Sequence, residues 1–142
     1  MLNNVYLAPG TLYVARAPCV ITTLVESCVA VTMWSPRRKV GGMTHYLLPR
    51  QTMGESSPRY GETALALLLA RMEIFGCVAS ECETRVYGGA GSGLGEQNVV
   101  TAREFARARL LRIVDEQAGG RVSRRLLLDI ETGGVDVMPL GG

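Results

Sequence analysis

Cys28 and His45 are the residues of this chain whose types and spacing could do chemistry. Both lie within residues 22–49, TTLVESCVAVTMWSPRRKVGGMTHYLLP, and His45 is the only histidine in the sequence. A thiol and an imidazole are the minimum set for nucleophilic acyl chemistry near neutral pH. An imidazolium beside the thiol would draw its pKa below the usual value of about 8.5 and create the thiolate. Cys28 follows Glu26-Ser27 at a loop-to-strand junction. There its sulfur can face solvent and its own N–H can address a developing oxyanion, with Ser27 part of the same oxyanion and substrate loop. Thr22 could orient the ring through a hydrogen bond, although strand threonines are common for β-propensity alone. Packing is the other reading, because lone cysteines are usually small core hydrophobes. On residue chemistry alone both readings stand. Cys19, Cys77 and Cys82 carry no functional argument.

For thiol and imidazole to meet, the chain must double back between them. Strands are expected at residues 5–7, 11–14 and 20–24, then at 28–34 and 40–48 around a turn at 35–39. Ser57-Pro58 reads as a helix start, and an Ala- and Leu-rich helix follows over 62–75, ended by Gly76. Apolar residues nearly encircle that helix, which predicts deep packing against a sheet. A strand at 84–87 leads into GGAGSGLG. Thr101 and Glu104 form a capping box that would open a second helix to about residue 109. Further strands are expected at 111–114, 124–130 and 135–140, the last two paired across Gly133-Gly134. The tally predicts an α/β fold of largely antiparallel β-sheets with two main helices packed on one side. At 142 residues one domain over 1–142 is expected.

Composition excludes several classes. Hydrophobic residues make up 47% of the chain, enough for a core, while a net charge of +2 and 6% aromatics give no basic, stacking face for nucleic acid. Arg37, Arg38 and Lys39 flank Pro36 and read as an exposed turn. No apolar run nears the roughly twenty residues of a membrane span. The first ten residues lack the pattern of a signal peptide, so a cytoplasmic protein with reduced cysteines is expected. One histidine and no CxxC speak against zinc, and no DxD or HExxH is present. The glycine-rich run matches neither GxGxxG nor a GK[ST] ending, so it reads as a tight, exposed loop needing positive φ. No cofactor is expected.

Thr22, Ser27-Cys28-Val29-Ala30-Val31, Pro36, Gly41-Gly42-Met43, His45 and Leu48-Pro49 together resemble the signature of the CheD family of chemoreceptor glutamine deamidases. Val86-Tyr87-Gly88-Gly89-Ala90, Leu94-Gly95 with Asn98, Gly119-Gly120 and Arg124 continue the resemblance in order, over nearly the whole chain. The resemblance implies a three-layer sandwich whose active site is related to the cytotoxic necrotizing factor toxins. It implies Cys28 as nucleophile, His45 as general acid and base, and Thr22 as the residue that orients His45. The implied substrates are glutamine side chains of methyl-accepting chemotaxis receptors, converted to glutamate through a thioester. A CheC-like phosphatase is an implied partner, and the alternative is a non-catalytic or weakly catalytic module that regulates it. Three positions depart from the family pattern: Glu26 and Ser123 replace glycines, and Gln117 replaces an aspartate. The charge of Glu26 would oppose thiolate formation.

Overall fold

The computed structural model describes residues 3–51 and 53–141. Its strands are β1 (Asn3–Tyr6), β2 (Leu12–Arg16), β3 (Cys19–Val25), β4 (Val29–Ser35), β5 (Val40–Tyr46), β6 (Glu83–Gly88), β7 (Arg112–Ala118), β8 (Ser123–Asp129) and β9 (Val135–Leu140). Two helices, α1 (Gly61–Ile74) and α2 (Leu94–Arg109), and a 3₁₀ turn at Ala79–Glu81 complete the elements. A four-stranded sheet runs β1-β3-β8-β9 and a five-stranded sheet runs β2-β5-β4-β6-β7. Only β1 with β3 and β6 with β7 pair in parallel; the other neighbours are antiparallel. Both helices lie on the five-stranded sheet, whose other face meets the four-stranded sheet. The expected sandwich, with helices on one side, is the observed architecture.

The middle position explains the sequence of β4 and β5. All seven residues of each strand are buried, since one face meets the helices and the other meets a sheet. A strand covered on both faces needs a continuous apolar run, and VAVTMWS supplies one. Outer strand β8 is covered on one face only and alternates, with Arg124, Leu126 and Leu128 turned inward. Val29, Val31 and Tyr46 pack with Leu65, Leu68 and Met72 beneath the helices. Ala30, Met43 and Tyr87 pack with Ile21, Leu126 and Leu128 between the sheets. At Gly42 a Cβ would stand 2.6 Å from Val14 Cγ2 and 2.9 Å from Leu68 Cδ1. The missing side chain is what lets α1 lie so close.

Two local expectations give way. Helix α2 begins at Leu94, a full turn and more before the expected capping box. Thr101 sits inside the helix, and its hydroxyl donates to the carbonyl of Gln97 at 3.0 Å, the back-bond of a mid-helix threonine. Ser57 does not cap α1 either, for its Oγ accepts from the N–H of Arg59 in a preceding turn. The first amides of α1 find their partners elsewhere: Gly61 donates to Leu48 and Glu62 to Pro49. The expected deep packing of α1 holds: Ala64, Leu65, Leu68, Leu69 and Met72 are buried on the sheet, and Ile74 at its end is 82% exposed.

Candidate active site

The register of β4 on β5 brings the candidate residues together. Ala30 pairs with His45 and Val29 with Tyr46. Alternation puts Ala30 and His45 on the face toward the four-stranded sheet and Val29 and Tyr46 on the face toward the helices. Cys28 stands two residues before Ala30 and packs against the same inter-sheet cluster. Cys28, one residue before β4, and His45, within β5, therefore lie toward the same inter-sheet side.

His45 is only 1% exposed. Its Nδ1 lies 2.7 Å from Thr23 Oγ1, and the Thr23 hydroxyl donates to the Leu7 carbonyl at 2.8 Å. A hydroxyl has one proton to give. With that proton directed to Leu7, Thr23 must accept, so Nδ1 carries the ring hydrogen and Nε2 keeps its lone pair. Burial also lowers the His45 pKa to about 4, so the ring is neutral near pH 7.

Thr23, not Thr22, orients the histidine. The two threonines are consecutive in β3 and point to opposite faces. Thr23 is buried between the sheets, whereas Thr22 is half-exposed on the outer face, in the row formed by Tyr6 and Leu127. Burial favours a neutral ring over the expected imidazolium. Burial pushes the Cys28 thiol up, its own backbone N–H lowers it, and Glu26 raises it again. Burial therefore favours the protonated thiol and the neutral ring at rest.

The loop that presents Cys28 is braced on several sides. Gly89 N–H donates to the Cys28 carbonyl at 2.9 Å and Ala90 N–H to the Glu26 carbonyl at 2.7 Å. Gly88 has φ +108°, and a Cβ there would fall 2.3 Å from the Cys28 carbonyl oxygen. Glycine is thus required beside the nucleophile for both conformation and space. The start of the glycine-rich run is accordingly buried, and only from Gly91 does it become the exposed loop expected. Asn98, fully buried on α2, donates from Nδ2 to the carbonyls of Ser27 and Leu47, each at 3.0 Å. Arg124 donates to the carbonyls of Gly88 at 3.4 Å and Gly119 at 2.8 Å. Two of the departing positions meet: Ser123 Oγ donates to Glu26 Oε2 at 3.4 Å.

Thr23 and Asn98 are not among the site residues expected from sequence. Thr23 could have been found by strand parity. Asn98 breaks an apolar stripe with Val99, Ala102 and Ala106, a signal visible only once α2 is extended back to Leu94. A cleft of about 620 Å³ opens between Leu48, Pro49 and the first turns of α2. Neither Cys28 nor His45 lines it, so it neighbours the pair without containing it. Among the described residues no three His, Cys, Asp or Glu side chains converge as a metal site would require, and no helix is long and apolar enough to cross a membrane.

A chain from Rhodospirillum rubrum named "Probable chemoreceptor glutamine deamidase CheD" is 38% identical over 131 residues, covering 84% of this chain and 74% of its own length. One from Chromobacterium violaceum, named "Probable chemoreceptor glutamine deamidase CheD 1", is 38% identical over 144 residues, covering 92% and 75%. Another from Albidiferax ferrireducens, named "Probable chemoreceptor glutamine deamidase CheD 2", is 32% identical over 157 residues and covers 97% and 90%, a span that reaches both Cys28 and His45. The model of the family described as CheD chemotactic sensory transduction matches residues 47–139. With the two-sheet sandwich and the Cys28–His45 face in place, these matches show that the chain belongs to the CheD family.

Proposed function

We propose that this chain is a protein-glutamine deamidase that converts glutamine side chains of chemoreceptors to glutamate by way of a Cys28 thioester. The observation that carries the reading is the Leu7–Thr23–His45 chain of hydrogen bonds, which engages Nδ1 and, with the Thr23 proton on Leu7, leaves the lone pair on Nε2. Nε2 takes the Sγ proton as sulfur attacks the carboxamide carbon. The Cys28 N–H donates to the resulting oxyanion. His45 then passes its proton to the departing nitrogen, ammonia leaves, and a thioester remains. A water molecule gives one proton to Nε2 and its oxygen to the acyl carbon; His45 returns the proton to sulfur, releasing glutamate. The balance is one water consumed and one ammonia released. A neutral imidazole suits this cycle, because general-base work needs the lone pair and not the cation.

The names of the relatives support chemoreceptors as the substrate class. All four cysteines are unpaired, which supports a reducing compartment and a cytoplasmic site of action. Incubation with a receptor fragment, followed by peptide mass spectrometry, tests the reading. Glutamine-to-glutamate conversion with the wild type and none with Cys28→Ala is the expected result; conversion by Cys28→Ala refutes it. One observation favours a second reading. Glu26 adds to the upward push on the thiol, as a module that regulates a CheC-like phosphatase could tolerate. No receptor conversion, together with altered phosphatase turnover on mixing, would select that role.

A further inference from the structure

We infer that Asn98 is a positioning residue that aims the oxyanion-binding N–H of Cys28. The Ser27 carbonyl and the Cys28 N–H are the two edges of one planar trans peptide, so they point in opposite directions. Whatever holds the carbonyl fixes the direction of the N–H. Asn98 holds that carbonyl from inside the fold, through Nδ2 at 3.0 Å. The same nitrogen donates to the Leu47 carbonyl, two residues after His45 on the chain that carries the base. One carboxamide therefore ties the nucleophile's peptide plane to the imidazole's strand. The orientation of the amide is forced, because both neighbours are carbonyl oxygens and only the nitrogen can donate to them. The asparagine is itself gripped: the buried Tyr46 hydroxyl, one residue past His45, donates to the Asn98 main-chain carbonyl.

A second observation separates this role from packing. Asn98 Oδ1 is buried with no hydrogen-bond partner among the described residues. An orphaned acceptor is a cost that a leucine of similar volume would avoid. The amide leaves its own acceptor unpaired while its nitrogen serves two carbonyls, so its value lies in what the nitrogen does. Its neighbours Val99, Ala102 and Ala106 fill the same stripe with apolar side chains, so the position does not demand polarity for the helix.

This inference rests on the thioester reading, and four variants separate the two. Steady-state deamidation of a receptor fragment is measured for the wild type, Asn98→Leu, Asn98→Asp and Val99→Ala, with thermal midpoints for each. Losing one oxyanion donor costs about 10²–10³ in rate, so Asn98→Leu is expected to lose about a hundredfold in kcat with KM little changed. Asn98→Asp can donate one hydrogen bond while protonated and none once ionised. Its kcat is therefore expected to fall as pH rises, along a limb the wild type lacks. Val99→Ala, a cavity in the same helix, lowers the midpoint and leaves kcat in place. The inference is overturned by a wild-type kcat in Asn98→Leu, by a kcat loss in Val99→Ala as large as that of Asn98→Leu, or by a wild-type pH profile in Asn98→Asp. Should Asn98→Leu fail to fold, the pH profile of Asn98→Asp decides alone. Deamidation by Cys28→Ala would instead remove the thioester reading beneath it.

Discussion

His45 lies within a paired strand in the middle of a sheet, flanked by β2 and β4, with its ring walled in between two layers. Cys28 stands one residue before its strand begins, half-exposed, on a loop held by carbonyl contacts to Gly89, Ala90 and Asn98. The imidazole is thus fixed by its own side-chain bond and by the sheet, whereas Cys28 is held through its backbone. That division suits the proposed tasks of base and nucleophile. A base must hold one tautomer through every turnover, and a nucleophile must be reached by a bulky protein substrate. Preorganised surroundings do the first by burial; a braced loop does the second without it.

The largest effects should come from deleting either half. Cys28→Ala should abolish receptor deamidation, and His45→Gln should lower kcat by about 10²–10⁴ while leaving Cys28 open to alkylation. Equal alkylation and equal kcat in His45→Gln would break the pairing. Next comes acid stability. The folded-state pKa of His45, about 4, lies below the unfolded value of about 6.5, so its contribution is present above pH 6.5 and lost as pH falls toward 4. On the order of 3 kcal/mol is at stake. Urea midpoints at neutral pH and at pH about 4 should therefore converge between wild type and His45→Gln as acid removes the wild type's advantage.

Thr23→Val leaves Nδ1–H and the Leu7 carbonyl unpaired, which should cost about tenfold to a hundredfold in kcat. Thr22→Val, on the outer face, should stay within about twofold, and the reverse order would restore Thr22 as the orienting residue. The smallest expected change is at Glu26. Glu26→Gly removes a nearby negative charge and should lower the Cys28 pKa, seen as a severalfold faster alkylation by iodoacetamide near pH 8. An unchanged rate would show that burial alone sets the thiol.

The legible parts of this molecule were those that depend on composition over several residues. Runs of β-branched residues marked β3, β4 and β5, and the Cys28–His45 spacing across a turn gave their common face. What escaped was decided by single-residue geometry. Thr22 and Thr23 are chemically identical, and only strand parity separates the orienting one from its neighbour. Thr101 has the sequence of a cap yet lies mid-helix, because α2 already begins at Leu94. Asn98 was seen as part of a pattern, but its two carbonyl partners lie 71 and 51 residues away, beyond any local signal.

The Thr23–Leu7 bond reaches outside the core of the site. Leu7 immediately follows β1, an edge strand, so the protonation pattern of the central ring is anchored by the first few residues of the described chain. A trimmed protein starting after Leu7 would retain thiol, imidazole and threonine, yet the threonine hydroxyl would be free to turn and donate to Nδ1 instead. The ring hydrogen would then move to Nε2, and the lone pair that the proposed mechanism needs would be lost there.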